Sequence, residues 1–445
     1  MVRSLLLAQL QICTLRSGDP GVRKQCGEDH QVDLRKEQES PCARSGQYPV
    51  GRRSRWRWAG ESGTWTWNLR RTGLLCFSGI FERIGINDGI YTIKQNGKKE
   101  EYQAELKDHS VAVDILLKTL LEKGVIKNLD EIKGVGHRLV HGGDKYNKSV
   151  IIDEDVMEQL RKLIPLAPLH NPANIMGVEA FQKAIPNALQ VGCFDTAFHQ
   201  TMDEDQYIYP VPYEWYEKYG IRKYGFHGLS HKYISERASE ILDRKYCNVI
   251  VCHIGSGGSI SAVRDGKCID TTMGFTPNAG IVMGSRCGDI DYSIIPYIMK
   301  ETGMSLEEVD KILNKKSGML GISGISSDFR DIEAQISNGN HKAILAHHLL
   351  VNSIVKYIAQ YYVELGGCDM LVFTAGVGEN SAHVRRMIVD RLGALGIKID
   401  REKNEATRFG KEGIISSVNS SVPIYVIPTD EEVMIARDTY SFLNN

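Results

Sequence analysis

What the chain lacks narrows it first. Its 54 lysines and arginines nearly balance 55 acids, and the net charge of −1 supplies no field for nucleic acid or an anionic membrane surface. No run of about 18 uncharged apolar residues occurs, so no segment reads as a membrane-spanning helix. The long apolar stretch AILAHHLLVNSIVKYIAQYYVELGG carries two histidines and a lysine and reads as a core helix. The ten cysteines include no C-x-x-C pair and no metal-ligand spacing. Cys193, Cys247, Cys252, Cys268 and Cys368 instead sit in or beside apolar runs, as free thiols do in a reducing compartment. The N-terminal MVRSLLLAQLQICTL is interrupted by Gln9 and Gln11 and is followed by no clear small-residue cleavage site, so a cytoplasmic protein is expected. Neither the phosphate-binding GxxxxGK[ST] nor a full GxGxxG is present.

What is there divides into two texts. Residues 1–75 hold eleven arginines and two lysines against seven acids, a net of +6, while residues 76–445 carry −7. Four of the five tryptophans fall in RSRWRWAGESGTWTW, residues 53–67. No apolar period of 2 or 3.6 persists through residues 16–72. The first 75 residues therefore read as a disordered segment or as translation from a wrong frame or start. A basic arm with interleaved Arg and Trp is the third reading.

From residue 79 the text is regular. VAVDILLKTLLEKG places Val113, Leu116, Leu117, Leu120 and Leu121 on one helical face and stops at Gly124. GVGHRLVHGG, LQVGCFD, NVIVCHIG, DMLVFTAG and VPIYVIPTD read as buried strands, separated by helical patterns such as HKYISERASEIL and SAHVRRMIVDRLGALG. That alternation, at a length that favours two domains, predicts an α/β architecture with helix-covered sheets.

Several strands end in glycine turns or polar clusters. NVIVCHIGSGGSISAV is a strand, the turn Gly255–Gly258 and a second strand, a geometry that can aim backbone N–H groups at an anion. LVFTAGVGENSAHVRRM is a strand, a turn through Gly376 and Gly378, and a helix opening near Asn380 and Ser381. His137, Arg138, His141, His170, Asp195, His227, His231, Arg286, Asp289, Asp291 and Glu431 stand in six further polar clusters, most of them at strand ends. Singly, each reads as a core histidine or an N-cap; together they mark where α/β sheets place ligands.

HRLVHGG, APLHNPAN, FDTAFH, YGFHGLSH, GFTPNAGIVMGSRCGDID, GISGISSDFRDI, TAGVGENS and IPTDEE, in this order, resemble the acetate kinases, a family of the acetate and sugar kinase/Hsp70/actin superfamily. The resemblance runs from about Gly79 to the C-terminus. It implies two similar ribonuclease H-like α/β domains around a cleft. Residues 76–196, with 430–445 returning, would form the N-terminal domain, and residues 197–429 the nucleotide-binding one. It implies reversible phosphoryl transfer from MgATP to acetate, giving acetyl phosphate and ADP, with Mg²⁺ or Mn²⁺ as metal and a homodimer as the assembly. Propionate kinase stays open as an alternative, as does an impaired or non-catalytic descendant that binds nucleotide or a partner.

The resemblance also implies roles. Acetate is ionised at neutral pH, so the chemistry needs cations and positioning more than a base. Arg138 and Arg286 would hold the carboxylate and the transferring phosphoryl, with His227 donating to it and His170 supporting the same site. Asp195 and Glu431 would face the metal, and Asp195 would also orient Arg286. Val140, Leu169, Phe226 and Pro277 would form the pocket for the acetate methyl. His253, Gly255, Ser256, Gly257 and Gly258 would form a phosphate loop, with Asp328, Phe329, Arg330, Gly376, Gly378, Glu379 and Asn380 towards the nucleotide.

Three departures stand out. Ser256 replaces the family's usual Asn, and Leu229 its Thr. The third is large: the family opens on strand, N-A-G-S-S-S turn, strand, and residues 58–69, WAGESGTWTWNL, echo this only through Ala59, Gly60 and Ser62. The expectation is a first sheet without its interior opening strand, its neighbours' edges exposed.

Overall fold

The computed structural model describes residues 11–16, 63–71, 74–85, 87–95, 98–168 and 170–443, with backbone alone before Phe77. Two mixed sheets, each with helices against it, form the frame. The first contains β1 (Gln11–Arg16), β2 (Gly63–Arg71), β3 (Leu74–Ile84), β4 (Ile90–Gln95), β5 (Lys98–Gln103), β6 (Ile132–Leu139), β7 (Val150–Ile151) and β8 (Leu189–Phe194), in the order β5-β4-β3-β2-β1-β6-β8-β7. The second contains β9 (Asn248–Ile254), β10 (Gly258–Arg264), β11 (Lys267–Thr271), β12 (Met370–Thr374), β13 (Gly413–Ile414) and β14 (Ile424–Val426), in the order β11-β10-β9-β12-β14-β13.

The strands read from apolar runs form as expected, because each is buried on both faces: β9 and β12 are continuous buried segments. The His341–Glu364 helix buries Leu350, Val351, Ile354 and Ile358 against Ile250, Cys252, Leu371 and Phe373 of that sheet. The His109–Glu122 helix is capped by Asp108, whose carboxylate accepts from Val111 N at 3.0 Å. Val113, Leu116, Leu117 and Leu120 are buried as read, but Leu121 is 39% exposed and lies off the core face.

The opening segment departs from expectation. Residues 11–16 and 63–71 are strands, so the tryptophan run ends inside β2, and β1 fills the interior position between β2 and β6. Unpaired backbone on β2 and β6 is satisfied by β1, which explains why a strand forms on so little pattern. Its direction is unusual. β1 runs parallel to β2 and antiparallel to β6, whereas its counterpart β9 runs antiparallel to β10 and parallel to β12. The two strands are therefore not a hairpin. The readings made for residues 1–10 and 17–62 lie outside the described residues.

The C-terminal Glu431–Leu443 helix returns to the first sheet. Gly136 of β6 makes this possible: a Cβ there would meet Thr439 Oγ1 at 2.3 Å and Ile435 Cγ2 at 2.4 Å. That close approach carries Glu431, at the helix start, to the end of β6.

Candidate functional site

The C-terminal ends of β6 and β8 bring the first charges together. The two strands are parallel, with Arg138 opposite Cys193, so Asp195 lies just past Arg138. Arg138 donates from Nε to Asp195 Oδ1 at 2.9 Å and from Nη2 to Oδ2 at 2.8 Å, a bidentate pair. Arg138 Nη1 is also 3.3 Å from Glu431 Oε2. All three side chains are buried. Burial works against the Arg138 charge, but the Asp195 and Glu431 carboxylates outweigh it and raise its pKa. Glu431 is pushed up to about 7, first by burial and then by Asp195, against the pull of Arg138. The sequence reading had Asp195 orient Arg286. The structure instead pairs both Asp195 oxygens with Arg138, and Arg286 donates to the Pro277 carbonyl.

A second group gathers at the β9–β10 turn. His227 sits at φ +60°, ψ +25°, a left-handed conformation that is strained for a residue with a Cβ and aims its ring at the turn. The next residue must be glycine, since a Cβ on Gly228 would lie 2.2 Å from the Asp195 carbonyl oxygen, which accepts from Gly228 N at 2.8 Å. His227 stacks on His253 at 4.2 Å between ring centroids. His253 Nδ1 is 2.8 Å from Ser230 Oγ, which in turn bonds Thr429 Oγ1. The turn closes through Gly255 N donating to the Gly257 carbonyl at 3.0 Å. Gly284 N donates to the Ser256 carbonyl at 2.9 Å. A Cβ on Gly257 would be 3.2 Å from Arg286 Nη1 and 3.7 Å from His227 Nε2, so both side chains converge on this turn.

Arg286 donates to the Pro277 carbonyl at 3.2 Å, and burial lowers its pKa. Among the described residues no carboxylate accepts from it, unlike Arg138. His170, before the Asn171–Ala184 helix, is lowered to about 4 by burial and then by Arg286 and Arg138. His227 is held well below its ordinary value by burial, by His253 and by both arginines. Both rings are neutral at physiological pH.

Of the expected methyl pocket, Val140 packs with Phe226 in an apolar cluster completed by Met273 and Met283. Pro277 joins through its carbonyl to Arg286. Leu169 lies outside the described residues.

The expected nucleotide residues divide. Asp328 caps the Phe329–Ser337 helix and closes on the Arg330 guanidinium, while Phe329 is buried in the core of the second sheet. The Gly376–Gly378 segment corrects the sequence reading: it is not a turn before a helix but already helical, Ala375–Asn380, starting from Ala375 at φ +64°. A second helix, Ala382–Val389, follows, capped by Ser381. Gly378 and Glu379 offer carbonyls to the buried Arg385. Asn380 Oδ1 accepts from Phe409 N at 3.0 Å. Glu379 accepts from Thr429 N at 3.2 Å, and its pKa is raised chiefly by burial. His137 and His141 are structural: His137 is 2.7 Å from Gln190 Oε1, and His141 packs edge-on against Tyr224 at 4.5 Å. Asp289 accepts from Gly280 N at 2.7 Å and holds a loop.

Sequence reading missed Met273 and Met283 in the apolar cluster, and Ser230, Ser259 and Ser261 beside the histidines. Ser259 and Ser261 carried a signal, since alternate residues of one strand share a face. Among the described residues no group of three or more His, Cys, Asp or Glu forms a ready metal cage.

Comparison with known proteins adds the following. A model of the acetokinase family matches residues 67–437, starting within β2 and ahead of Gly79. The chain is 54% identical over 362 residues to the acetate kinase of Bacillus cytotoxicus, covering 81% of this chain and 91% of that one. It is similar to the crystal structure of Porphyromonas gingivalis acetate kinase, with 44% identity, a TM-score of 0.79, and coverage of 83% and 94%. It is equally similar to that of a propionate kinase from Francisella tularensis, with 43% identity, a TM-score of 0.79, and coverage of 83% and 93%.

Proposed function

Because the chain belongs to the acetokinase family, we propose that it transfers the γ-phosphoryl of ATP to the carboxylate of acetate, reversibly, through Arg138, Arg286 and His227. The observation that carries this reading is the convergence of Arg286 Nη1 and His227 Nε2 on the Gly255–Gly258 turn, where a Cβ on Gly257 would lie 3.2 Å and 3.7 Å from them. Arg138 is neutralised by buried carboxylates, whereas Arg286 is desolvated, and the fields of both reach His170 and His227. Two anions must meet for this reaction, and their repulsion is the barrier to be offset. Arg286, beside the Gly255–Gly258 turn, is placed to bind the transferring group, with His227 Nε2 next to it. Val140, Phe226, Met273 and Met283 offer an apolar wall to a short acyl chain. Propionate differs by one methylene, a difference worth about 1–3 kcal/mol in such a pocket.

A divalent cation suits the opposite edge. Asp195 and Glu431 place two buried carboxylates on one guanidinium, and burial first, then the neighbouring Asp195 charge, raises Glu431. Magnesium, a hard ion that keeps several waters, needs only one or two such oxygens and supplies charge neutralisation on the phosphates. Manganese would serve the same way. The residues that hold Arg138 in place are thus those that face the metal.

We assign residues 76–196 with 430–445 to one domain and 197–429 to the nucleotide domain, with domain closure excluding water. Free buried thiols at Cys193, Cys247, Cys252 and Cys268 support a cytoplasmic setting. No helix among the described residues is long and apolar enough to cross a membrane. Exposed Tyr292, Ile294 and Tyr297 support self-association as a dimer.

The test is an acyl-phosphate assay on the 445-residue chain with acetate, MgATP and hydroxylamine, beside an Arg286→Ala control from a host without its own acetate kinase. Acetate-dependent product that vanishes in the control is expected. A folded chain that yields none would overturn the reading.

A further inference from the structure

We infer that Ser259 and His231 are positioning residues that fix the tautomer of His227, so that its Nε2 carries the proton facing the Gly255–Gly258 turn. The inference rests on the reading above only in naming what that proton meets, a phosphoryl oxygen. Four groups form one line. His227 Nδ1 lies 2.9 Å from Ser259 Oγ. Ser259 Oγ lies 2.7 Å from His231 Nε2, and His231 Nδ1 lies 2.7 Å from Ser261 Oγ. Ser259, Ser261 and His231 are fully buried.

A hydroxyl has one proton to give and a neutral imidazole has one donor and one acceptor nitrogen. Two orders of protons are therefore open. In the first, Ser261 donates to His231 Nδ1, His231 Nε2–H donates to Ser259, and Ser259 donates to His227 Nδ1. His227 is then left with its proton on Nε2. In the second, every bond reverses and His227 presents a bare Nε2. The far end decides. Among the described residues Ser261 Oγ has no polar partner but His231. In the reversed order its hydroxyl proton is buried without an acceptor, a cost that the first order avoids. The neutrality of both rings, from burial first, keeps a doubly protonated imidazole from bypassing the choice. At the near end, His227 Nε2 points towards Gly257 and Arg286, where an acceptor oxygen is needed.

The line also explains why two serines stand at alternate positions of β10. One face of the strand carries both hydroxyls to the same side of the sheet, and His231, one turn after His227 on the Gly228–Leu242 helix, falls between them.

The experiment is long-range ¹H–¹⁵N spectroscopy of the full chain with ¹⁵N-labelled histidine, His227 being assigned by its loss in His227→Gln. The wild type should show a protonated Nε2 and a bare Nδ1 on His227. Ser259→Ala should convert this to a mixture and lower kcat in proportion to the Nε2-protonated fraction that remains, about two- to tenfold. KM for acetate and ATP should change less than about threefold, since the lesion acts on the transferring group alone. Ser259→Thr should restore both. If Ser259→Ala does not fold, Ser261→Ala tests the same line from its far end, and His227 should again become mixed. A wild-type His227 protonated on Nδ1, or one unmoved in either alanine variant, overturns the inference. An inactive wild type with the expected tautomer would instead count against the phosphotransfer reading alone.

Discussion

Replacing Glu431 by Gln should make the metal-free protein less sensitive to rising pH. The Glu431 carboxyl is raised from 4.5 to about 7 in the folded chain, chiefly because it is buried and because Asp195 already occupies Arg138. A folded carboxyl that holds its proton to higher pH than the unfolded one contributes stability below 4.5 and loses it as pH rises through 7. At about 1.4 kcal/mol per pH unit the full loss is roughly 3 kcal/mol. The buried histidines oppose this trend. His137, His141 and His170 are lowered to about 4 by burial, so their contribution is lost as pH falls from 6.5 towards 4. Wild type alone therefore shows a compromise, and only the difference from Glu431→Gln isolates the carboxyl. Urea unfolding in EDTA between pH 5 and 8 should show the variant gaining on wild type by about 2–3 kcal/mol across that window. A divalent cation added above pH 7 should return the lost stability to wild type and not to the variant. A difference that stays flat with pH would refute the assignment of Glu431 as a protonated, cation-seeking carboxyl.

Three further outcomes are expected. Asp195→Ala leaves Arg138 buried against Glu431 alone and should cost about 3–5 kcal/mol in urea unfolding, since breaking a buried pair strands a charge. Ser256→Asn, at an exposed tip whose backbone is held by Gly284, should lower the ATP KM about 2–10-fold, the worth of one added hydrogen bond, measured by initial rates at saturating acetate. Val140→Ala removes part of the wall against Phe226, Met273 and Met283, and should move the propionate-to-acetate ratio of kcat/KM about tenfold towards propionate.

Much of this molecule was legible where local pattern and tertiary fate agree. β6, β8, β9 and β12 announce themselves as apolar runs because both faces are covered. Leu121 misled because a helical stripe is wider on paper than the surface it covers. Arg138, Asp195 and Glu431 were each visible, but not who holds whom: the trio depends on the β6–β8 register and on a helix returning from the far end of the chain. β1 was illegible for a different reason. Six residues between two unsatisfied neighbours become a strand through the neighbours' hydrogen-bonding groups, not through a pattern of their own. Its direction then bears on function. In the second sheet, β9 runs towards the site and turns at Gly255–Gly258 into β10. In the first, β1 pairs Ile12 with His137 and Arg16 with Ile132, so its start, not its end, lies near Arg138. The start of β2 lies at that same end, since Gln11 pairs with Thr66. The first sheet thus presents two strand beginnings where the second presents a strand-to-strand turn. On the proposed reading, phosphate recognition by backbone N–H groups among the described residues therefore falls to the β9–β10 turn. That makes the positions of Arg286 and His227, both within reach of Gly257, the more decisive.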